Sequence, residues 1–176
     1  MSRVDSLSLA ARWLDRGESC RDSAARIAEF LGAAGEIDGM LSTWLLEGLG
    51  TSGAFRRADV SARGIEDLLR SRGGGPFVEW HAAGNRTAYS LALWNGLNAS
   101  FQVTIGMADR RSSAILSFQE AAPRDASAWR ELMSAAIRAF EPDSAAVTSH
   151  PRSAEWFSYH RDGAVIENPF SPTDVC

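Results

Sequence analysis

The chain has no lysine: all 18 basic residues are arginines. That absence removes Schiff-base chemistry and amine nucleophiles from consideration. Cysteine is also scarce, with only Cys20 and Cys176. Cys20 falls in a predicted helix and Cys176 is the last residue, so they form no disulfide framework, and reduced thiols are expected. The three histidines, His81, His150 and His160, make no His-x-x-x-His pair and have no cysteine pair nearby, so the usual zinc spacing is missing. No run approaches the roughly 18 apolar residues of a membrane span. Met1-Ser-Arg-Val-Asp-Ser carries no apolar core of signal-peptide length. A soluble cytoplasmic protein with no metal, cofactor or membrane partner is the expectation.

What remains is ordinary globular composition: 45% hydrophobic, 23% charged and a net charge of −4 over 176 residues. That charge is too mild to steer association, and it argues against a nucleic-acid surface. A chain of this length buries roughly 70% of its unfolded surface and needs neither disulfide nor metal to fold. The prior is one domain.

Periodicity gives the architecture. Tyr89, Leu91 and Leu93 fall on one face, as do Phe101, Val103, Ile105 and Met107, and then Ala114, Leu116 and Phe118. This period-two pattern predicts a three-stranded meander over Arg86–Phe118. Its hinge is Trp94-Asn95-Gly96, where Asn-Gly suggests a two-residue type I′ turn with positive φ at both positions. Leu7, Leu9, Ala11 and Trp13 alternate as a first strand, with a helix as the alternative. Ser19, with Asp22 three residues on, caps a helix that frays near Gly32–Gly35. Asp38 caps a second short helix bearing Met40, Leu41, Trp44 and Leu45. A loop follows over Gly48–Gly53, then a helix over Ala62–Arg72. Gly73-Gly-Gly-Pro76 is the sharpest break, a hinge and not a domain boundary. Phe77–Ala82 reads as a short strand. Asp125 caps an amphipathic helix carrying Trp129, Leu132, Met133, Ala136, Ile137 and Phe140. Ala145–Ser149 and Ala154–His160 read as strands, with a second hairpin turning at Asp162-Gly163 and an irregular tail over 168–176. The sum is a single α+β domain: an antiparallel sheet built on a central meander, with helices packed against it.

Chemistry is harder to find. Gly48-Leu-Gly-Thr-Ser-Gly53 has dinucleotide-loop spacing, but a helix precedes it where that mechanism needs a strand. No Gly-x-Ser-x-Gly elbow is present, and Glu66-Asp67 sits on an exposed helix face. The Asn85 and Asn98 sequons carry no meaning without a secretory signal. Six tryptophans are the notable feature. Trp13, Trp44 and Trp129 take core positions, whereas Trp80, Trp94 and Trp156 lie near strand ends or turns, where interface anchoring is open to them.

Several of these pieces resemble the immunity protein 52 family of bacterial polymorphic-toxin systems. Trp13-Leu-Asp-Arg16-Gly-Glu18 is similar to that family's opening Trp-x-x-Arg-x-Glu. Cys20–Leu31 with Glu36-Ile-Asp38 and Met40-Leu-Ser-Thr-Trp44 resembles its first helix and the segment after it. Ala88-Tyr-Ser-Leu-Ala-Leu-Trp94-Asn95-Gly96 is the most specific match, and Glu155-Trp156-Phe-Ser-Tyr159 resembles the aromatic strand near the family's end. The match is sparse over 48–82, and Arg12 and Leu14 stand where the family has an aromatic residue and a glycine. The resemblance implies a cognate toxin as partner, typically a nuclease of restriction-endonuclease-like fold delivered by a secretion system such as type VI, and neutralisation without catalysis. Trp13, Arg16, Glu18, Trp44, Gly96 and Trp156 would then be structural. Glu79, Trp80, Trp94, Asn95 and Asp109, at the meander's turn edge and flank, are the expected toxin-binding residues. A small hydrolase or ligand-binding domain is the alternative, and a homo-oligomeric module using an open sheet edge is a third reading.

Overall fold

Alternation along Ser6–Leu14 is what the sheet is built on, because this first strand (β1) ends up between two antiparallel ladders. In the computed structural model it pairs with β6 (Arg111–Phe118) on one side and with β7 (Ser144–His150) on the other. The structure describes residues 6–14, 16–47, 55–72, 89–106, 111–119, 126–150, 155–163 and 165–167. The remaining strands are β2 (Leu45–Glu47), β3 (Phe55–Arg57), β4 (Tyr89–Trp94), β5 (Ala99–Ile105), β8 (Glu155–His160) and β9 (Ile166–Glu167). All pair antiparallel in the order β3-β2-β4-β5-β6-β1-β7-β8-β9. The meander β4-β5-β6 supplies three neighbouring strands of this order, with β6 at its middle. A ladder on each edge pairs most of the β1 backbone, which suits a strand whose core-facing residues Leu7, Leu9, Ala11 and Trp13 are all buried.

Among the described residues, three helices, α1 (Cys20–Ile37), α2 (Ala62–Arg72) and α3 (Ala126–Phe140), join the sheet in an α+β fold over one continuous core. Ser19 caps α1 as expected, its hydroxyl accepting from Asp22 N–H at 3.1 Å. The helix does not fray at its glycines but runs on to Ile37, because Phe30, Leu31 and Ala34 are buried and their packing outweighs glycine's propensity. α3 buries Trp129, Leu132, Met133, Ala136 and Phe140 at helical spacing, while Ile137 is half-buried.

The second predicted helix is corrected. Asp38 does cap, accepting from Met40 N–H at 2.9 Å, but only a 3₁₀ turn over Gly39–Ser42 follows. Leu45–Glu47 then enters the sheet, with Leu45 opposite Trp94. A strand registers Trp44 and Leu46 to the core on alternate positions, which a helix this short could not do. β3 also lies where no element was expected. The predicted strand over Phe77–Ala82, the Gly73–Pro76 hinge, the Gly48–Gly53 loop, the Asp125 cap and the tail fall outside the described residues.

Candidate functional site

The Leu-Trp-Asn-Gly segment folds into a side-chain-built loop, which corrects the expected two-residue type I′ turn. Trp94 pairs with Ser100, and Asn95 N–H donates to Ala99 C=O at 3.0 Å, so the loop holds four residues, Asn95–Asn98. Gly96 takes φ +83°, but Asn95 is not in the positive-φ region. The reason lies in the Asn95 carboxamide. Its Oδ1 accepts from the backbone N–H groups of Leu97, Asn98 and Ala99 at 3.0, 3.0 and 2.9 Å. Its Nδ2 donates to Met40 C=O at 3.4 Å, tying the loop to the 3₁₀ turn. An asparagine that mimics a backbone acceptor in this way stabilises a wider loop than the primed turn. Asn95 is only 7% exposed, so its amide serves the loop.

Trp13, Arg16 and Glu18 form a clasp on the C-terminus of α3. The Trp13 ring stacks on Phe140 at 5.2 Å and 11°. Arg16 donates to the carbonyl of Glu141, the one described non-glycine residue at positive φ (44°), where α3 ends. Glu18 lies 3.2 Å from Arg26 Nε, and Arg26 donates to Ala139 C=O at 2.8 Å and to the Glu141 carboxylate at 3.2 Å. Two guanidinium groups thus meet the negative end of the helix and its last carbonyls. From Trp13 the ring contacts continue through Phe140, Phe30 and Phe101 to Trp44, at 5.3, 5.5 and 6.3 Å. This chain of rings crosses the core from β1 to Trp44, the residue before β2.

The exposed counterpart lies at the β3 edge. Phe55, half exposed, meets the Trp94 ring at 5.0 Å and 55°. Leu97, 69% exposed, projects from the Asn95 loop, and Met40 lies exposed on the segment that loop is tied to. Arg56 and Arg57 follow Phe55 along β3, both exposed. Tryptophan, methionine, phenylalanine and arginine are the side chains enriched at protein interfaces. Among the expected toxin-binding residues, Trp94 and Asn95 are thus placed together, while Glu79, Trp80 and Asp109 lie outside the described residues, as does the side chain of Trp156.

An open cleft of about 260 Å³ lies elsewhere, lined by Arg12, Trp13, Leu14, Arg111, Asp143 and Ser144. Its carboxylate is engaged: Asp143 accepts from Leu14 N–H at 2.8 Å and from Arg161 at 3.0 Å. Among the described residues, no group of three or more metal-ligating side chains converges. No described helix is long and apolar enough to cross a membrane. Cys20 is buried and free, and desolvation pushes its thiol pKa up despite the nearby Arg70 guanidinium.

No family model matches the chain. No curated protein matches it. Among solved structures it is similar to Pseudomonas aeruginosa T6SS protein PA0821, at 12% identity over 87% of this chain with a TM-score of 0.42. The chain spans 44% of the length of that protein's chain, and a likeness of this degree carries no argument about function.

Sequence reasoning missed Phe55 as the partner of Trp94. The signal was faint: a single aromatic residue before Arg56-Arg57, in a run of three with no apolar alternation to mark a strand. Glu141 and Arg26 were missed for another reason, since ion pairs across more than a hundred residues leave no local pattern.

Proposed function

We propose that this chain is an immunity protein, which binds a cognate secreted bacterial toxin and neutralises it by stoichiometric protein–protein inhibition. The observation that carries the reading is the ring contact between exposed Phe55 and half-buried Trp94, with exposed Arg56 and Arg57 next along β3. It sits beside the Leu-Trp-Asn-Gly loop, where the resemblance to the immunity protein 52 family is most specific. Trp13, Arg16, Glu18 and Trp44, which carry the rest of that resemblance, are engaged in holding the scaffold. A rigid core with adaptable edges and loops is the division of labour expected of a specific binder.

The mechanism is steric: the bound protein covers the toxin's active cleft or locks its conformation, with no catalysis of its own. A nuclease of restriction-endonuclease-like fold, delivered by type VI secretion, is the toxin class that the family resemblance supports. Glu79, Trp80 and Asp109 extend the proposed interface from the sequence. The test is co-expression with the product of the adjacent upstream gene. The proposal expects rescue of growth and a stable complex of equal stoichiometry. A neighbour that is harmless and does not bind overturns it.

A further inference from the structure

The β3 edge carries backbone groups as well as side chains. Ala58 N–H donates inward to Trp44 C=O at 2.8 Å, and Arg56 lies opposite Leu46. In an antiparallel ladder the hydrogen-bonding direction alternates residue by residue. Phe55 and Arg57 therefore turn their N–H and C=O groups away from β2. β3 is the outermost strand on this side, and among the described residues it pairs only with β2. Phe55 and Arg57 share the face of Leu45 and Trp94, since Leu45 lies opposite both Arg57 and Trp94. Arg56 points to the other face, the side of buried Leu46. Neither arginine makes an ion pair with any described residue.

We infer that β3 is the docking edge of this protein, and that its occupant is an extended acidic segment of the partner protein that adds to the sheet as a further strand. The inference rests on the immunity reading and names the surface and the partner chemistry for it. Main-chain pairing to Phe55 and Arg57 supplies the backbone contacts, and alternate side chains supply selectivity. In antiparallel register the segment reads acidic, acidic, apolar: one carboxylate opposite Arg57, one opposite Arg56 on the other face, and an apolar side chain opposite Phe55 at the edge of the Trp94 ring. A second copy of this chain does not fit. A two-fold pairing of β3 with itself, centred on Arg56, sets Arg56 directly opposite Arg56 and Arg57 opposite Phe55, and like charges directly opposite are destabilising. The arginine that keeps the edge from pairing with itself also selects an acidic partner.

The experiment has two arms, read separately. In the first, the isolated protein is titrated with a short capped peptide carrying Glu-Glu-Phe between Thr-Val flanks and, in parallel, with its Arg-Arg-Phe counterpart, with amide shifts followed by NMR. The expected result is shifts confined to residues 55–57 and 94–97 with the Glu-Glu-Phe peptide alone. Shifts elsewhere, no shifts, or equal binding of the Arg-Arg-Phe peptide overturns the docking edge. In the second arm, the upstream-encoded toxin is titrated against wild type, Arg56→Glu/Arg57→Glu, Arg56→Lys/Arg57→Lys and the remote control Arg21→Glu. The charge reversal should weaken binding about tenfold or more at low salt, with the loss shrinking as salt rises, while the lysine variant and the control stay close to wild type. Wild-type affinity in the reversed variant sinks this edge but leaves the immunity reading standing. Failure of wild type to bind the toxin sinks that reading, and the peptide arm then decides the edge alone. A dimer through β3 in light scattering overturns the choice of occupant.

Discussion

Asn95→Ala is the sharpest test of how the meander is turned. The substitution removes one oxygen that accepts three backbone N–H groups and a donor that reaches Met40 C=O. The three losses are unequal. Leu97 is largely exposed, so water takes over its N–H, whereas Ala99 is fully buried and its N–H is left stranded. A buried unsatisfied donor costs about 1–3 kcal/mol and each of the two solvated losses about 0.5–1 kcal/mol, so the three together cost about 2–5 kcal/mol. For a chain of this size that lowers the melting temperature by about 2–4 °C per kcal/mol. Asn95→Asp keeps the acceptor and gives it charge, at the expense of the Met40 bond. It should stay within about 1 kcal/mol of wild type at neutral pH. Three N–H bonds to the introduced carboxylate depress its folded pKa, so its stabilisation is present above an unfolded value of about 3.9 and is lost as pH falls further. Urea denaturation of the three proteins measures all of this. An alanine variant within about 1 kcal/mol of wild type, or an aspartate variant as weak as alanine, refutes the assignment of Asn95 as the loop's organiser.

Other outcomes follow from the core and the clasp. Phe30→Ala, at the middle of the ring chain, should cost about 3–5 kcal/mol in chemical denaturation, and a loss below about 1 kcal/mol would show that the rings are not mutually supporting. Arg26→Ala takes a partner from Ala139 C=O and from two carboxylates, so a loss of about 1–2 kcal/mol is expected, smaller in high salt because Glu141 is more than half exposed. A loss insensitive to salt would point to packing alone. In a Cys176→Ser background, Cys20 should resist a thiol reagent until urea unfolds the chain. Because burial raises its folded pKa, stability should fall as pH rises through and above about 8.5, a slope absent in Cys20→Ala. Rapid labelling of the native protein would contradict the burial.

Period-two runs were legible in the sequence because one face of each strand is buried: Leu91 and Leu93, Phe101 through Ile105, and Ala114 through Phe118 read directly as core. α1, α2 and α3 were legible for the same reason at helical period. The segment from Met40 to Leu45 was not. Its apolar spacing suits a short helix, and only the place of Leu45 opposite Trp94 and Arg57 makes the run after Trp44 a strand. Asn-Gly gave the position of the turn but not its size, since three N–H groups gathering on one carboxamide depend on the loop already being closed.

The order of the strands lies further still from local pattern. Sequence alone determined that Ser6–Leu14 alternates, and that Trp13, Arg16 and Glu18 stand three and two residues apart. Tertiary structure decided that this strand lies between β6 and β7, and that those three residues clasp a helix end more than a hundred residues away. It also set Phe55 against Trp94, and with that pair made the surface on which the functional proposal rests. Burial is written as periodicity along the chain, because each residue's environment repeats with the backbone. Pairing between distant segments is a contest among many complementary faces, and only the assembled core, closing all of them at once, selects one arrangement.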